Sequence, residues 1–202
     1  MMRRVILGLL IFSVGVALSL YTIENRHTLA GIFFQTLKMD ESAIKEFRKA
    51  IESQPRNAYA YYHLGLIYKA RGEFDDAEEI YRRLLSIFPK HPDANYDLGY
   101  VYRKKGLYDK AIEQYRKALE IKPDSLYAHY DLGYIYRELG RYEDALAEYK
   151  KVIEIEPSHP YALWDIGVIY DKLGMKDKAE EQFRHYHRMT DCSLRRFWNC
   201  LR

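Results

Sequence analysis

Residues 92–125 read PDANYDLGYVYRKKGLYDKAIEQYRKALEIKPDS, and residues 126–159 repeat the pattern as LYAHYDLGYIYRELGRYEDALAEYKKVIEIEPSH. In the first of these, Leu98, Gly99 and Tyr102, and then Ala111, Tyr115 and Ala118, stand at helical spacings on either side of Gly106. Two apolar stripes therefore flank a turn, and the stretch reads as a helix, a turn and a second helix. Gly106 supplies the left-handed residue that closes the first helix, and Pro123, with no amide hydrogen to donate, stops the second. Gly99 and Ala111 remove side-chain bulk where the helices must approach closely, and the aromatic rings fill the remaining space.

The same register extends in both directions. Prolines fall at Pro55, Pro89, Pro123 and Pro157, each 34 residues after the last, and glycines follow at Gly31, Gly65, Gly99, Gly133 and Gly167 and at Gly72, Gly106, Gly140 and Gly174. Aromatic residues recur at Phe34, Tyr68, Tyr102, Tyr136 and Tyr170 and at Phe47, Tyr81, Tyr115, Tyr149 and Phe183, and alanines at Ala43, Ala77, Ala111, Ala145 and Ala179. A fixed period of this length is the mark of a repeat array. With Gly8 and Gly15 every glycine is accounted for, so no glycine-rich loop is left to cradle a phosphate. Charges on the second helices read as solvated faces: Asp75, Asp76, Glu78 and Glu79 precede Arg82 and Arg83, complementing the helix dipole and pairing i to i+4.

Leu64-Gly65-x-x-Tyr68, Leu98-Gly99-x-x-Tyr102 and Leu132-Gly133-x-x-Tyr136, each followed by its alanine, aromatic residue and proline, resemble the tetratricopeptide repeat. The resemblance implies an all-α solenoid of helix-turn-helix units, wound as a right-handed superhelix, with five units at 24–57, 58–91, 92–125, 126–159 and 160–193. It also implies a protein or peptide partner. Some members grip a C-terminal carboxylate with a lysine and asparagine clamp, but the matching places here hold Tyr62, Leu66, Asp97, Tyr127 and Asp131, so that clamp is missing. Two departures stand out. Lys38 occupies the turn-glycine place of the first unit, where Ala30 replaces the usual leucine, so that unit is expected to be distorted. Asp191 replaces the terminal proline of the last, which suggests a second helix that runs on or turns into a cap.

Ahead of the array, Val5 to Ile23 carries no charge over 19 residues, and as a helix it would span about 28 Å, close to the hydrocarbon thickness of a bilayer. Residues 1–23 read as an N-terminal transmembrane anchor through 5–23, or as a secretory signal with Arg3 and Arg4 as its basic start and Ala17-Leu18-Ser19 as a cleavage site. The length of the run favours the anchor. Arg3 and Arg4 before the span, against Arg26 just after it, argue for a single-pass protein with its repeats on the non-cytoplasmic, periplasmic or extracytoplasmic side. Cleavage would give instead an exported soluble assembly or chaperone-like factor.

A net charge of +3 on 202 residues is too small a basic excess for a nucleic-acid binder. No residue set reads as an active site, a metal site or a cofactor pocket, and no small-molecule substrate is implied. His185 and His187 lie two apart on a helix and face different ways, while His91-Pro92 and His159-Pro160 fall where one unit hands over to the next, with proline suited to a first helical position. His129 takes a first-helix place usually given to a large packing residue.

The chain holds 20 tyrosines, and many fall on the first helices away from the packing stripe, where the resemblance sets a concave groove. That face carries Tyr59, Tyr62, His63 and Lys69; Asp93, Tyr96, Asp97, Tyr100 and Arg103; Tyr127, Tyr130, Asp131, Tyr134 and Arg137; and Tyr161, Trp164, Asp165 and Asp171. Exposed aromatic rings give large rigid contact area at little entropic cost, so they are the candidate partner-binding residues, and removing Tyr96 and Tyr130 is expected to weaken binding and spare the fold. Asp97, Asp131 and Asp165 recur one per unit; they could bond the amides or cations of a bound chain, or pair with Arg103 and Arg137. At the C-terminus, residues 194–202 read as a capping helix with Leu194, Phe197, Trp198 and Leu201 on one stripe. Cys192 and Cys200 would be about 12 Å apart on that helix, too far for a disulfide.

Overall fold

The computed structural model describes residues 25–200, with side chains described through Thr190. The proposed anchor at 5–23 and the side chains of Cys192, Leu194, Phe197, Trp198 and Cys200 lie outside what is described. Among the described residues there are ten α-helices and no strands, and no helix is long and apolar enough to cross a membrane.

The chain divides after Pro89 into two compact units. The first holds α1 (Arg26–Thr36), α2 (Asp40–Ser53), α3 (Ala58–Arg71) and α4 (Phe74–Ile87). The second holds α5 (Pro92–Lys104), α6 (Tyr108–Ile121), α7 (Leu126–Glu138), α8 (Tyr142–Ile155), α9 (Pro160–Lys172) and α10 (Lys176–Cys200). Each odd-numbered helix packs most extensively on the even-numbered helix that follows, and within each unit successive pairs stack through the next contact, α2 on α3 and then α6 on α7 and α8 on α9. Helix-turn-helix packing is thus as the 34-residue period predicts.

The close approach is tight. A Cβ on Gly99 would stand 2.8 Å from the ring of Tyr115, which is itself fully buried. Ala111, Tyr115 and Ala118 form the buried stripe of α6, and Tyr68, Tyr102 and Tyr136 are buried scaffold residues, as their register indicated. The Tyr68 and Tyr136 hydroxyls accept hydrogen bonds from Arg48 and Arg116 at 2.7 and 2.9 Å. On α4 the expected i to i+4 pairs form, Arg83 with Glu79 at 2.7 Å and Arg82 with Glu78 at 3.8 Å. Its last turn holds no basic residue, so the helix-end charge complement is one-sided.

Of the two expectations about departures, one is corrected and one is met. Lys38 does not distort the first turn: it adopts the left-handed conformation itself, at φ 56°, and closes α1 with the bonds made at Gly106. Lys38 N–H donates to Gln35 and Met39 N–H to Phe34, as Gly106 donates to Arg103 and Leu107 to Tyr102. A side chain in that region costs about 1–2 kcal/mol. Lys38→Gly is therefore expected to stabilise the first unit by about 1 kcal/mol, read as a raised urea midpoint, whereas Gly106→Lys should lower that of the second. At Asp191 the second helix runs on, as one of the two readings of that departure has it: α10 continues unbroken from Lys176 to Cys200, so residues 194–200 belong to it and not to a separate helix. With Asp191 where the other units have proline, the backbone keeps the N–H that continues the helical ladder.

Candidate binding surface

In the second unit each first helix is covered on two sides, by its own partner and by the neighbouring pair, and keeps one side open. On α5 that side carries Asp93, Tyr96, Tyr100 and Arg103, at i, i+3, i+7 and i+10. On α7 the equivalents are Tyr127, Tyr130, Tyr134 and Arg137, and on α9 Tyr161, Trp164, Val168 and Asp171.

The recurring aspartates are not on that open side. Asp97, Asp131 and Asp165 are 3%, 8% and 5% exposed, and the last two are held by residues of the preceding repeat. Asp131 Oδ2 accepts from the hydroxyls of Tyr96 at 2.9 Å and Tyr115 at 3.1 Å, and Arg103 Nη2 stands 3.6 Å from its Oδ1. One repeat on, Asp165 accepts from the Tyr130 hydroxyl at 3.0 Å and from Arg137, while the Tyr149 hydroxyl is buried beside it. Each carboxylate thus gathers a tyrosine 35 residues earlier, an arginine 28 earlier and a tyrosine 16 earlier. Burial and the adjoining carboxylate push the Tyr96, Tyr115, Tyr130 and Tyr149 phenols far above their ordinary range, so all four stay protonated and able to donate.

The arginines of these networks also sit between rings. The Arg103 guanidinium carbon lies 5.1 Å from the ring centres of both Tyr100 and Tyr134, and Arg137 lies 5.1 Å from Tyr134. The result is an alternation of ring and cation from α5 to α7, with each cation balanced by a buried carboxylate. It stops on α9, where Val168 and Asp171 occupy the ring and cation places.

The second unit therefore brings together Tyr96, Tyr100, Arg103, Tyr130, Asp131, Tyr134, Arg137 and Asp165, but chiefly to bind one repeat to the next. This corrects the expectation that Tyr96 and Tyr130 are dispensable for folding, and it uses Asp131 and Asp165 internally. What stays open is Tyr127 at 70%, Tyr161 at 68% and Trp164 at 44% exposure. Tyr127 stands 6.4 Å from the Tyr96 ring, Tyr130 lies 5.2 Å from His159, and His159 lies 6.0 Å from Tyr161. Trp164 is backed by Phe183 and Tyr186 at 5.0 and 5.2 Å.

In the first unit Tyr59 stacks on His63 at 4.0 Å, Tyr62 meets the same imidazole edge-on at 5.8 Å, and His63 Nδ1 lies 2.8 Å from Gln35 Oε1. His63 and Gln35 occupy the register places of Asp131 and Arg103, so a neutral pair replaces the charged one. Burial lowers the His63 pKa.

His91, His129 and His159 are structural. His91 and His159 begin α5 and α9 ahead of Pro92 and Pro160, and their Nδ1 atoms accept from the amides of Ala94 at 3.2 Å and Ala162 at 3.1 Å, which is the turn role read from the sequence. His129 binds Glu148 through Nδ1 at 2.7 Å and the Pro123 carbonyl through Nε2 at 2.8 Å. The Glu148 hydrogen bond raises its pKa. Its stabilisation is thus complete below the ordinary imidazole range and fades as pH rises through the raised folded value. His129→Gln should accordingly lower the melting temperature more at pH 6 than at pH 9; equal losses at both would contradict the assignment. Among the described residues no three of His, Cys, Asp and Glu come together as metal ligands would.

Sequence models described as tetratricopeptide or TPR repeat match residues 24–57, 41–92, 80–113, 99–137 and 133–174, well over half of the chain. No curated protein sequence matches it. Among solved structures, a crystal structure of MamA superposes with a TM-score of 0.79 at 25% identity, over 82% of this chain and 96% of that one. YrrB, described as a TPR protein with an unusual peptide-binding site, superposes at 0.74 with 23% identity, over 85% and 91% of the two chains. MamA from residue 41 of Desulfovibrio magneticus RS-1 gives 0.78 at 17% identity, over 84% and 96%. The last two show likeness of fold alone.

Proposed function

The chain belongs to the tetratricopeptide repeat family, and from that premise we propose that it is a membrane-tethered scaffold that takes a peptide segment of a partner protein across Tyr127, Tyr161 and Trp164. The observation that carries this reading is the exposure of those three rings on helices whose Tyr130, Asp131 and Asp165 side chains are already hydrogen-bonded within the array. Rings held from behind, as Trp164 is by Phe183 and Tyr186, bind without first losing rotamer freedom. The likeness to YrrB, a TPR protein with a peptide-binding site, supports the same class of activity.

The tether is the segment 5–23, and the charge bias of Arg3 and Arg4 over Arg26 supports repeats on the non-cytoplasmic side. A mature chain starting near Leu20 would replace the tether with an exported soluble factor. Repeats resistant to protease added outside spheroplasts would overturn the orientation.

The binding surface is tested by capture of partners with the full-length protein. Tyr127→Ala, Tyr161→Ala and Trp164→Ala are each expected to weaken capture by at least about 1 kcal/mol while melting stays within about 0.5 kcal/mol of the parent. Capture undiminished by the triple substitution would overturn the proposal.

A further inference from the structure

The first unit exposes apolar side chains of a different kind. Leu29, Phe33 and Leu37 are 51%, 59% and 54% exposed, and they recur at i, i+4 and i+8 on and just after α1. The opposite side of the helix is fixed: Thr28 and Gly31 are buried, the Thr28 hydroxyl accepts from Asn57 at 2.9 Å, and a Cβ on Gly31 would stand 2.5 Å from the Phe47 ring. The helix therefore cannot roll to hide its stripe. Nothing among the described residues of the first unit covers it.

We propose that this face lies on the surface of the bilayer that residues 5–23 enter, with Leu29, Phe33 and Leu37 set into the interfacial layer. The inference rests on the anchor reading given above and adds a second, lateral contact to it. Reach is the first argument. Leu29 follows Ile23 by six residues, a length of about 9 Å as helix and about 20 Å at full extension. The headgroup layer is itself about 5–7 Å deep on each side of the hydrocarbon. A chain anchored at Ile23 thus holds Leu29 within about 20 Å of the hydrocarbon edge, whereas any other occupant must arrive from elsewhere.

Charge is the second argument. From Arg26 to Met39 the chain carries Arg26 and Lys38 and no acidic residue; Glu24 precedes this stretch and Asp40 follows it. An apolar stripe flanked by cations suits an interface containing anionic lipid, where the rings and aliphatic chains enter the acyl boundary and the cations meet phosphates. A carboxylate among them would have opposed that contact.

The test uses the full chain with Cys192→Ser and Cys200→Ser, reconstituted in vesicles of mixed phosphatidylcholine and phosphatidylglycerol. Single cysteines at Phe33→Cys, Leu10→Cys and Lys122→Cys carry an environment-sensitive fluorophore, and lipids with a shallow or a deep nitroxide act as quenchers. The proposal expects shallow-nitroxide quenching at position 33 several-fold above that at position 122, with a blue-shifted emission. Quenching at position 33 no greater than at 122, with position 10 quenched by the deep nitroxide, would overturn the lateral contact and leave the anchor standing. An unquenched position 10 would remove the anchor and the proposal with it. A blue shift at position 33 that is unquenched by lipid and disappears as protein is diluted in the bilayer would assign the face to a second copy of the chain, which also overturns the proposal.

Discussion

Gly99→Leu is expected to unfold the second unit's first helix pair, at a cost of at least about 3 kcal/mol. Even a methyl group at this position would stand 2.8 Å from two ring carbons of Tyr115, closer than packed carbons tolerate. The ring has no easy way to yield, because it is fully buried and its hydroxyl is tied to Asp131. Gly99→Ala should cost less, about 1–2 kcal/mol, and pairing it with Tyr115→Leu should recover part of that loss, since the two changes act on one contact. Urea unfolding followed by circular dichroism reads all three variants. A Gly99→Leu protein as stable as the parent would contradict the packing described.

Asp131→Ala should be nearly as damaging, at about 3 kcal/mol or more, although the residue lies next to a surface and not in an apolar core. Its removal leaves the guanidinium of Arg103 without its carboxylate and the Tyr96 and Tyr115 hydroxyls without their acceptor, all in a part-buried setting. Breaking one member of such a set costs more than replacing the whole set, so Asp131→Leu combined with Arg103→Leu should be milder than Asp131→Ala alone. Because arrays lose stability locally, amide exchange is the sharper readout: protection should fall first in α5 through α8. Uniform protection across the second unit would show that the network carries no inter-repeat energy.

Much of this architecture is legible in the chain itself. The fixed period of Pro89, Pro123 and Pro157 sets where helices stop, and the pairing of Gly99 with Tyr115 can be read because a missing side chain and a large ring recur together. His91 and His159 announce their capping role through the prolines after them. Asp131 and Asp165 were harder to read. Periodicity says which residues share a position, but it does not say how far a side chain reaches toward the next repeat, and tyrosine and arginine are long enough to turn an apparent groove carboxylate into an internal one. The signal was present as the recurrence of tyrosine, arginine and tyrosine at 35, 28 and 16 residues before each aspartate. Lys38 was misleading for another reason: the turn depends on a backbone conformation that glycine favours but does not own.

The alternation of Tyr100, Arg103, Tyr134 and Arg137 has a kinetic side. Since Asp131 and Asp165 already balance the two cations, these four residues offer little unbalanced field to an approaching charged chain. A partner docking there gains little from electrostatic steering, so its arrival stays near the ordinary rate of about 10⁵–10⁷ per molar per second and responds weakly to ionic strength. Lifetime, set by how long the rings stay covered, is then what distinguishes a good partner from a poor one.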